Sequence, residues 1–198
     1  MIKIVGESSV AAGIRRIEAI TGETVEDAVQ KAEETLRAVG AMFNNVPDLL
    51  GAVRKFINEN AELKHQIEEH MAERARERAR QLVDRATHTA AGTSVITMEG
   101  ICLPEMVKNI AFAVRSLSPK ATAFCAATVD PSGKPLLTVA LTDDIAAAGA
   151  NAGYIVRLAA KEIKGGGGGQ PGFAQAGGKD AQGINSAAAV MRGELEKF

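Results

Sequence analysis

Five consecutive glycines, Gly165 to Gly169, are the residues of this chain whose spacing most strongly indicates binding chemistry. Glycine has no side chain, so the backbone amides of such a run can lie directly against a ligand, often a phosphate. Each glycine also loses much conformational freedom on ordering, which argues against a helix or an ordinary strand interior. We therefore predict an ordered loop with left-handed backbone conformations and a nest of N–H groups. The alternative is a flexible linker.

Cations and one aromatic residue accompany the glycines. Lys161, Lys164 and Lys179 bracket the tract, and Phe173 lies between its two glycine-rich stretches. Unshielded backbone beside lysines can receive a polynucleotide, with an affinity that falls steeply as salt rises. Phe173 either stacks on a base or ribose or is buried as the hydrophobic anchor of the loop. Replacing Gly167 by Asp is then expected to weaken binding without unfolding the domain.

Other chemical motifs fail on detail. Gly178-Lys179 resembles the end of a P-loop, but Phe173 stands where the first glycine belongs and Asp180 replaces the hydroxyl residue. The G-x-G-x-x-G match at 167–172 follows a predicted helix and contains a proline, which is not the context of a dinucleotide site. We assign no catalytic triad and no catalytic carboxylate pair. The three histidines and two cysteines have no zinc-site spacing.

Composition limits the classes of function. The 198 residues suffice for one or two domains, and a net charge of −1 means that any nucleic-acid contact needs a local basic patch. No apolar stretch is long enough for a membrane span, and the first residues do not form a signal peptide. Cys102 and Cys125 lie in apolar runs and are predicted to be free thiols in a reducing cytoplasm.

The first 22 residues contain a predicted short strand at Ile2 to Ile4 and an ambiguous β-branched segment at Ile14 to Ile20, and residues 23–90 are predicted to be helical. A capping box that begins at Thr24 predicts a helix that runs to about Val39 and ends at Gly40. Pro47 suits the first turn of a second helix, which continues to about Thr87.

This second helix carries an apolar stripe with alternating spacings of three and four, typical of a coiled coil or a helical hairpin. Asn60 falls within the stripe, where it either fixes the register or occupies a partly hydrated position. The candidate oligomerisation residues are Leu49, Val53, Phe56, Asn60, Leu63 and Ile67.

Arginines concentrate towards the end of the same helix. Arg74, Arg78 and Arg85 share one side at about 100° per residue and have no acidic residue in their own row, so they are candidate phosphate contacts. Arg76 and Arg80 lie on the opposite side and are interpreted as a solvated face paired with glutamates.

The remaining residues alternate between strand and helix patterns. A turn at Asp130-Pro131-Ser132-Gly133 separates two apolar strands, and Asp143 or Asp144 is expected to cap a later helix. The predicted elements are strands at 94–101, 121–129 and 136–141 and helices at 104–117, 150–164 and 184–195. The predicted fold class is α+β: a long helical hairpin or coiled coil followed by a small α/β domain with a mixed sheet covered by helices.

Three segments together resemble alanyl-tRNA synthetases. Residues 165–179 resemble the glycine motif of the C-terminal, DHH-associated domain of that family. Residues 124–141 resemble the hairpin of the same domain, and residues 8–22 resemble the stretch that closes the family's editing domain. The resemblance covers nearly the whole chain and implies three parts: an editing-domain remnant (1–22), a helical hairpin or coiled coil (23–90) and a globular domain (91–198).

The resemblance implies that this chain is a non-catalytic fragment that binds the outer corner of tRNA and self-associates in the cytoplasm. The parent enzyme is expected to attach alanine to tRNA with ATP, magnesium and zinc, whereas this fragment is expected to hold no cofactor or metal. Its partners would be tRNA and the rest of the synthetase, with no membrane. The implied tRNA-contacting residues are Gly165, Gly166, Gly167, Gly168, Gly169, Gln175, Gly177, Gly178 and Lys179.

Two alternatives remain open. One is a phosphoesterase-like nucleic-acid enzyme, although Gln170 and Pro171 stand where related DHH phosphoesterases carry a histidine, and no DHH triplet occurs. The other is a pure oligomerisation element built on the apolar stripe.

Overall fold

The chain begins with an antiparallel hairpin formed by β1 (Ile2–Ala11) and β2 (Ile14–Thr21). The computed structural model describes all residues, 1–198, and divides into two compact units, Met1–Lys64 and His65–Phe198. The segment from Ile14 to Ile20, which is ambiguous in the sequence, lies within strand β2. The three-part division at residues 22 and 90 stays a prediction.

The first helix, α1 (Glu23–Met42), differs at both ends from the prediction. Gly22 is the N-cap residue with a φ of 64°, and no side chain caps the helix, so the Thr24 capping box is wrong. The helix also continues past Gly40. The chain reverses instead at Asn44 and Asn45, with φ of 55° and 51°, because asparagine tolerates the left-handed region.

The second helix, α2 (Leu49–Val83), has 35 residues and begins after Asp48, whose Oδ1 accepts the Gly51 N–H at 2.9 Å. Pro47 therefore precedes the helix, which also ends before the predicted Thr87. From Phe56 onwards its predicted stripe is open in the single chain, since the side chains at 56, 63 and 67 are each 57% exposed, whereas Leu49 and Val53 are half-buried.

The second unit adds a six-stranded mixed sheet in the order β3-β4-β5-β6-β8-β7, in which only β4 and β5 are parallel. This confirms the predicted fold class. The strands are β3 (Thr87–His88), β4 (Ser94–Ile101), β5 (Thr122–Val129), β6 (Pro135–Leu141), β7 (Gly166–Gln170) and β8 (Phe173–Gly177). The helices are α3 (Pro104–Leu117), α4 (Asp143–Ala147), α5 (Ala152–Ala159) and α6 (Ile184–Leu195), with a 3-10 turn at Ala181–Gly183.

Helices cover both faces of this sheet because alternate strand residues point to opposite sides. On one face, Leu137, Val139 and Ala174 pack in a buried cluster with α5 and α6. On the other face, Phe124 and Ala140 pack with α3 and with the end of α2. We call these the α5 face and the α3 face.

The predicted helix at 150–164 is wrong in both extent and cap. Helix α5 ends at Ala159, and the residues from Ala160 to Lys164 form turns in which Lys164 adopts a φ of 48°. Its cap is Asn151, whose Oδ1 accepts the Tyr154 N–H at 3.0 Å. The predicted caps Asp143 and Asp144 instead open the separate short helix α4.

Candidate nucleic-acid interface

The glycine tract is an edge strand. Gly166–Gln170 forms β7 and pairs with β8 across a turn at Pro171 and Gly172. None of the five glycines adopts a left-handed φ, so the predicted loop with a nest of N–H groups is wrong. Pairing with β8 provides hydrogen bonds for the backbone groups on one side of β7. The tract is nevertheless open to solvent, with four of the five glycines exposed and Gly168 half-buried.

The glycines fall into two alternating sets. A Cβ added at Gly165, Gly167 or Gly169 would lie closer than 3.0 Å to the backbone of the neighbouring strand or its extension, nearer than real Cβ atoms approach. A Cβ added at Gly166 or Gly168 would meet nothing within 4 Å. Glycine is therefore required at 165, 167 and 169, where the tract lies close to β8 and the residues that follow it. The second set is not required by any neighbour in the chain.

Strand register identifies the face to which each set belongs. Gly167 and Gly169 pair with Ala176 and Ala174, which are buried on the α5 face. Gly166 and Gly168 pair with Gly177 and Gln175, which belong to the α3 face.

The neighbouring strand β6 continues these rows, because Leu136 pairs with Gly177 and Thr138 pairs with Gln175. The result is a flat surface without side chains over β7. We call it the glycine shelf; its residues are Leu136, Gly166, Gly168, Gln175 and Gly177, and the fully buried Thr138 lies in the same rows.

The polar groups on the shelf are held in place. Gln175 is half-buried, and its Nε2 donates to Thr138 Oγ1 at 3.0 Å. That bond orients the amide, and because Thr138 is fully buried, only the half-buried Gln175 amide keeps hydrogen-bonding capacity towards the solvent. The predicted site residue Gln175 thus lies beside the open glycines.

Lysines gather at one end of the shelf, around a groove of about 510 Å³. Lys134, Lys164 and Lys179 line it together with Gly166 and Asp130. Lys134 and Lys179 are exposed and form no ion pair. They give this end of the shelf two ammonium groups available to an anion.

The other two lysines differ. Lys164 Nζ lies 2.7 Å from Asp180 Oδ2, and this hydrogen-bonded pair raises the pKa of Lys164 and lowers the pKa of Asp180. Lys164 therefore joins the start of β7 to the 3-10 turn. Lys161 is exposed but does not line the groove.

The turn before β6 positions Lys134. Asp130 Oδ1 accepts the backbone N–H groups of Ser132 and Lys134, both at 2.8 Å. These bonds lower the pKa of Asp130, and the bond from the Lys134 N–H has the largest effect. Gly133 has a φ of 87°, and its N–H bonds to Asp130 O. The predicted turn is present, and it presents the lysine that follows it.

The predicted arginine stripe lies elsewhere. Arg74 and Arg78 line a separate groove of about 990 Å³, whose apolar side includes Met98, Met106 and Ile110. Arg85 lies in the turn that follows α2 and lines a third groove together with Arg192. The structure therefore does not bring Arg74, Arg78 or Arg85 to the glycine shelf.

Arg76 and Arg80 also line the larger groove, although the sequence placed them on the opposite side of α2 from Arg74 and Arg78. No Glu–Arg ion pair forms along this stretch, so the predicted pairing is wrong. The narrow buried side of α2, formed here by Ala75, Ala79 and Leu82, leaves arginines on both flanks.

The cysteines and histidines do not form a metal site. No group of three or more His, Cys, Asp or Glu side chains is placed to hold an ion, so the residues present do not fit the zinc that the resemblance implies for the parent enzyme. Burial raises the pKa of the Cys125 thiol to about 12, and burial also raises that of the half-buried Cys102. None of the helices is both long enough and apolar enough to cross a bilayer.

A mixed sheet with a glycine hairpin at its edge defines the class of domain. Residues 92–197 match the DHHA1 domain, and the chain belongs to that family. Curated relatives extend the match to the helical part. An alanine–tRNA ligase of Bacteroides fragilis is 48% identical over 190 residues, which are 94% of this chain and 21% of the relative. That of Parabacteroides distasonis is 39% identical over 96% of this chain and 22% of its own length. These matches confirm the resemblance stated from the sequence.

The chain thus spans about a fifth of the length of the curated relatives it matches. Among solved structures, the C-Ala domain from Aquifex aeolicus alanyl-tRNA synthetase is similar at a TM-score of 0.49 and 23% identity. That match covers 56% of this chain and 97% of the solved chain.

Sequence reasoning missed the shelf residues contributed by β6. Leu136 and Thr138 of β6, and Lys134 just before that strand, lie more than 25 residues before the glycines and reach them only through the β6–β8 register. The available signal was the lysine that ends the Asp-Pro-Ser-Gly-Lys turn.

Proposed function

We propose that this chain is the C-terminal, tRNA-binding portion of an alanine–tRNA ligase and that it forms no covalent bond itself. The whole enzyme would attach alanine to tRNA with ATP and magnesium in the cytoplasm and would hold its zinc outside this chain. Support comes from the alanine–tRNA ligase relatives and from the three motifs that resemble that family.

The observation that carries the proposal is the open space at Gly166 and Gly168. The fold does not require glycine at these two positions, since the backbone is not left-handed and no neighbour would meet a side chain. An approaching ligand backbone would require it. Because Lys134 and Lys179 border the same surface, that ligand is anionic, and a polynucleotide backbone fits both properties.

The first test measures binding of a fluorescent alanine-accepting tRNA transcript against salt concentration. We expect the logarithm of affinity to fall linearly with the logarithm of salt. Lys179→Ala should reduce that slope by about one phosphate contact. Lys161→Ala serves as the matched comparison, because Lys161 is exposed but lies outside the groove. An affinity independent of salt would contradict the proposal.

The second test places a negative charge on the shelf. Gly168→Asp should weaken tRNA binding without loss of folding, because its side chain would project into the space that we assign to phosphates. Gly193→Asp is the control: Gly193 is exposed on α6, has equally open surroundings, and belongs to the helix that packs on the α5 face. Equal affinity of both variants would remove the shelf from the interface.

The open stripe on α2 supports a second function, self-association with another copy of this chain. Phe56, Leu63 and Ile67 are large apolar side chains that remain 57% exposed, which is costly unless another helix covers them. Ultracentrifugation of the double variant Leu63→Asp, Ile67→Asp should give a lower mass than the unsubstituted chain.

The control for this experiment carries two aspartates on the opposite side of the same helix, Ala61→Asp and His65→Asp. It should keep the mass of the unsubstituted chain. If the unsubstituted chain is itself monomeric at the concentrations used, self-association through the stripe is refuted.

A further inference from the structure

We propose that Phe112 is a stacking position for an exposed nucleobase of the bound RNA, at the end of the glycine shelf away from the lysines. This inference rests on the proposed function, because it needs an RNA strand on the shelf. It adds a contact on α3, an element that sequence reasoning did not assign to binding.

A stacked aromatic pair marks the position. The rings of Phe112 and Phe173 are stacked, with centroids 5.2 Å apart and an angle of 17° between their planes. Phe173 is half-buried and covers one face of the Phe112 ring, yet Phe112 remains 44% exposed. Its accessible surface therefore lies on the opposite ring face and the ring edges. Such a surface can stack on any base, since every base has a π-face.

Strand register places this pair in line with the shelf. On the α3 face, the row Ala140–Phe173–Gln170 follows directly after the row Thr138–Gln175–Gly168. The aromatic pair thus begins about 7 Å further along the strands than Gly168. A strand that crosses the open glycines towards α3 would bring a base to Phe112.

Cations flank the exposed ring on the same side of α3. Lys108 and Arg115 are four residues before and three residues after Phe112, so the three side chains form one helical stripe. Lys108 is exposed and forms no ion pair. Arg115 is held by Asp143, with Nη2 2.8 Å from Oδ1. An aromatic ring beside the unpaired ammonium group of Lys108 suits a base with its attached phosphate better than it suits an apolar peptide.

The test compares two exposed apolar residues of the same helix. Phe112→Ala should weaken binding of the alanine-accepting tRNA transcript about 5- to 150-fold, the range for loss of one stacked base. Leu117→Ala is the matched control, since Leu117 is also 44% exposed but lies about 140° away around α3, and its affinity should be unchanged. A thermal melt checks that both variants fold.

A second variant keeps an aromatic ring at this position and reports on the contact directly. The chain has no tryptophan, so Phe112→Trp introduces a single tryptophan at the proposed contact. We expect affinity close to that of the unsubstituted chain and quenching of the tryptophan emission when tRNA binds.

The outcomes separate this inference from the proposed function. If the unsubstituted chain binds tRNA but Phe112→Ala binds equally well, or the tryptophan emission does not change at saturation, the stacking position is refuted alone. If the unsubstituted chain does not bind tRNA, both proposals fall.

Discussion

Adjacent glycines in β7 should respond to alanine with opposite signs. At Gly167 the new methyl group would overlap the Gln175 carbonyl oxygen and the Ala176 Cα, both of which are backbone atoms that cannot rotate away. Overpacking of this kind costs about 1–3 kcal/mol, and a rigid neighbour places Gly167→Ala near the upper value. At Gly168 the methyl group meets nothing within 4 Å, and the backbone is not left-handed. Gly168→Ala should therefore stabilise the chain by about 0.4–1 kcal/mol, because alanine restricts the unfolded state.

Thermal unfolding followed by far-UV circular dichroism measures both effects. For a chain of this size, about 1 kcal/mol shifts the melting temperature by about 2–4 °C. Gly167→Ala should thus lower the melting temperature by about 6–12 °C if the cost is about 3 kcal/mol, and Gly168→Ala should raise it by about 1–4 °C. Tyr154, the only tyrosine, lies on α5 beside β7 and gives a local fluorescence signal for the same transition.

One result would refute the division of the tract into required and open glycines: the two alanine variants would melt at the same temperature. The structure also changes the test that the sequence suggested: Gly167→Asp would disturb strand pairing, so a loss of tRNA binding by that variant would not identify a contact. Gly168 is the position at which binding and folding can be separated.

Three further expectations concern single groups. The folded state lowers the pKa of Asp130, so the ionised carboxylate stabilises the fold fully above its ordinary pKa. This stabilisation is lost as the pH falls through the folded-state pKa. In urea unfolding across acidic pH, the stability of Asp130→Asn should therefore decline less steeply than that of the unsubstituted chain. In the native chain a thiol reagent should modify the half-buried Cys102. It should modify the buried Cys125, whose pKa is about 12, only when the chain unfolds. Rapid modification of both cysteines in the native chain would contradict the fold. Asn151→Ala should cost about 0.5–2 kcal/mol in chemical unfolding, and no loss would show that the cap of α5 is unimportant.

Local signals in the sequence predicted local structure well. The Asp-Pro-Ser-Gly turn, the helix that begins at Pro104 and the strands on either side of the turn follow from residues within a few positions of each other, and the structure has them. Helix ends were predicted less well, because several capping residues compete. Asn151 caps α5 in place of the aspartates at 143 and 144, and Asn44 and Asn45 reverse the chain in place of Gly40.

The candidate site shows where sequence reasoning stops. The absence of side chains correctly predicted that the glycine backbone is exposed. Five identical residues have no alternation of polar and apolar positions, however, so the sequence pattern did not indicate strand β7. The role of Lys134 depends on the pairing of β6 with β8. The stacked pair Phe112–Phe173 likewise depends on how α3 lies on the sheet, which no short-range pattern encodes.

A run of identical residues cannot determine its own alignment with a neighbouring strand, because every shift by two positions looks the same. The alignment of β7 is instead set by bonds outside the run. Gly165 N–H bonds to Ala160 O, while the carbonyl groups of Pro171 and Gly172 accept the N–H groups of Ala152 and Leu141, all at 2.9 Å. Adding or deleting one glycine would therefore strain the hydrogen bonds at Gly165, Pro171 and Gly172. Alternatively, it would exchange the glycines that face α5 for those that face the solvent. The number of glycines between the two anchors is thus as much a structural constraint as their identity.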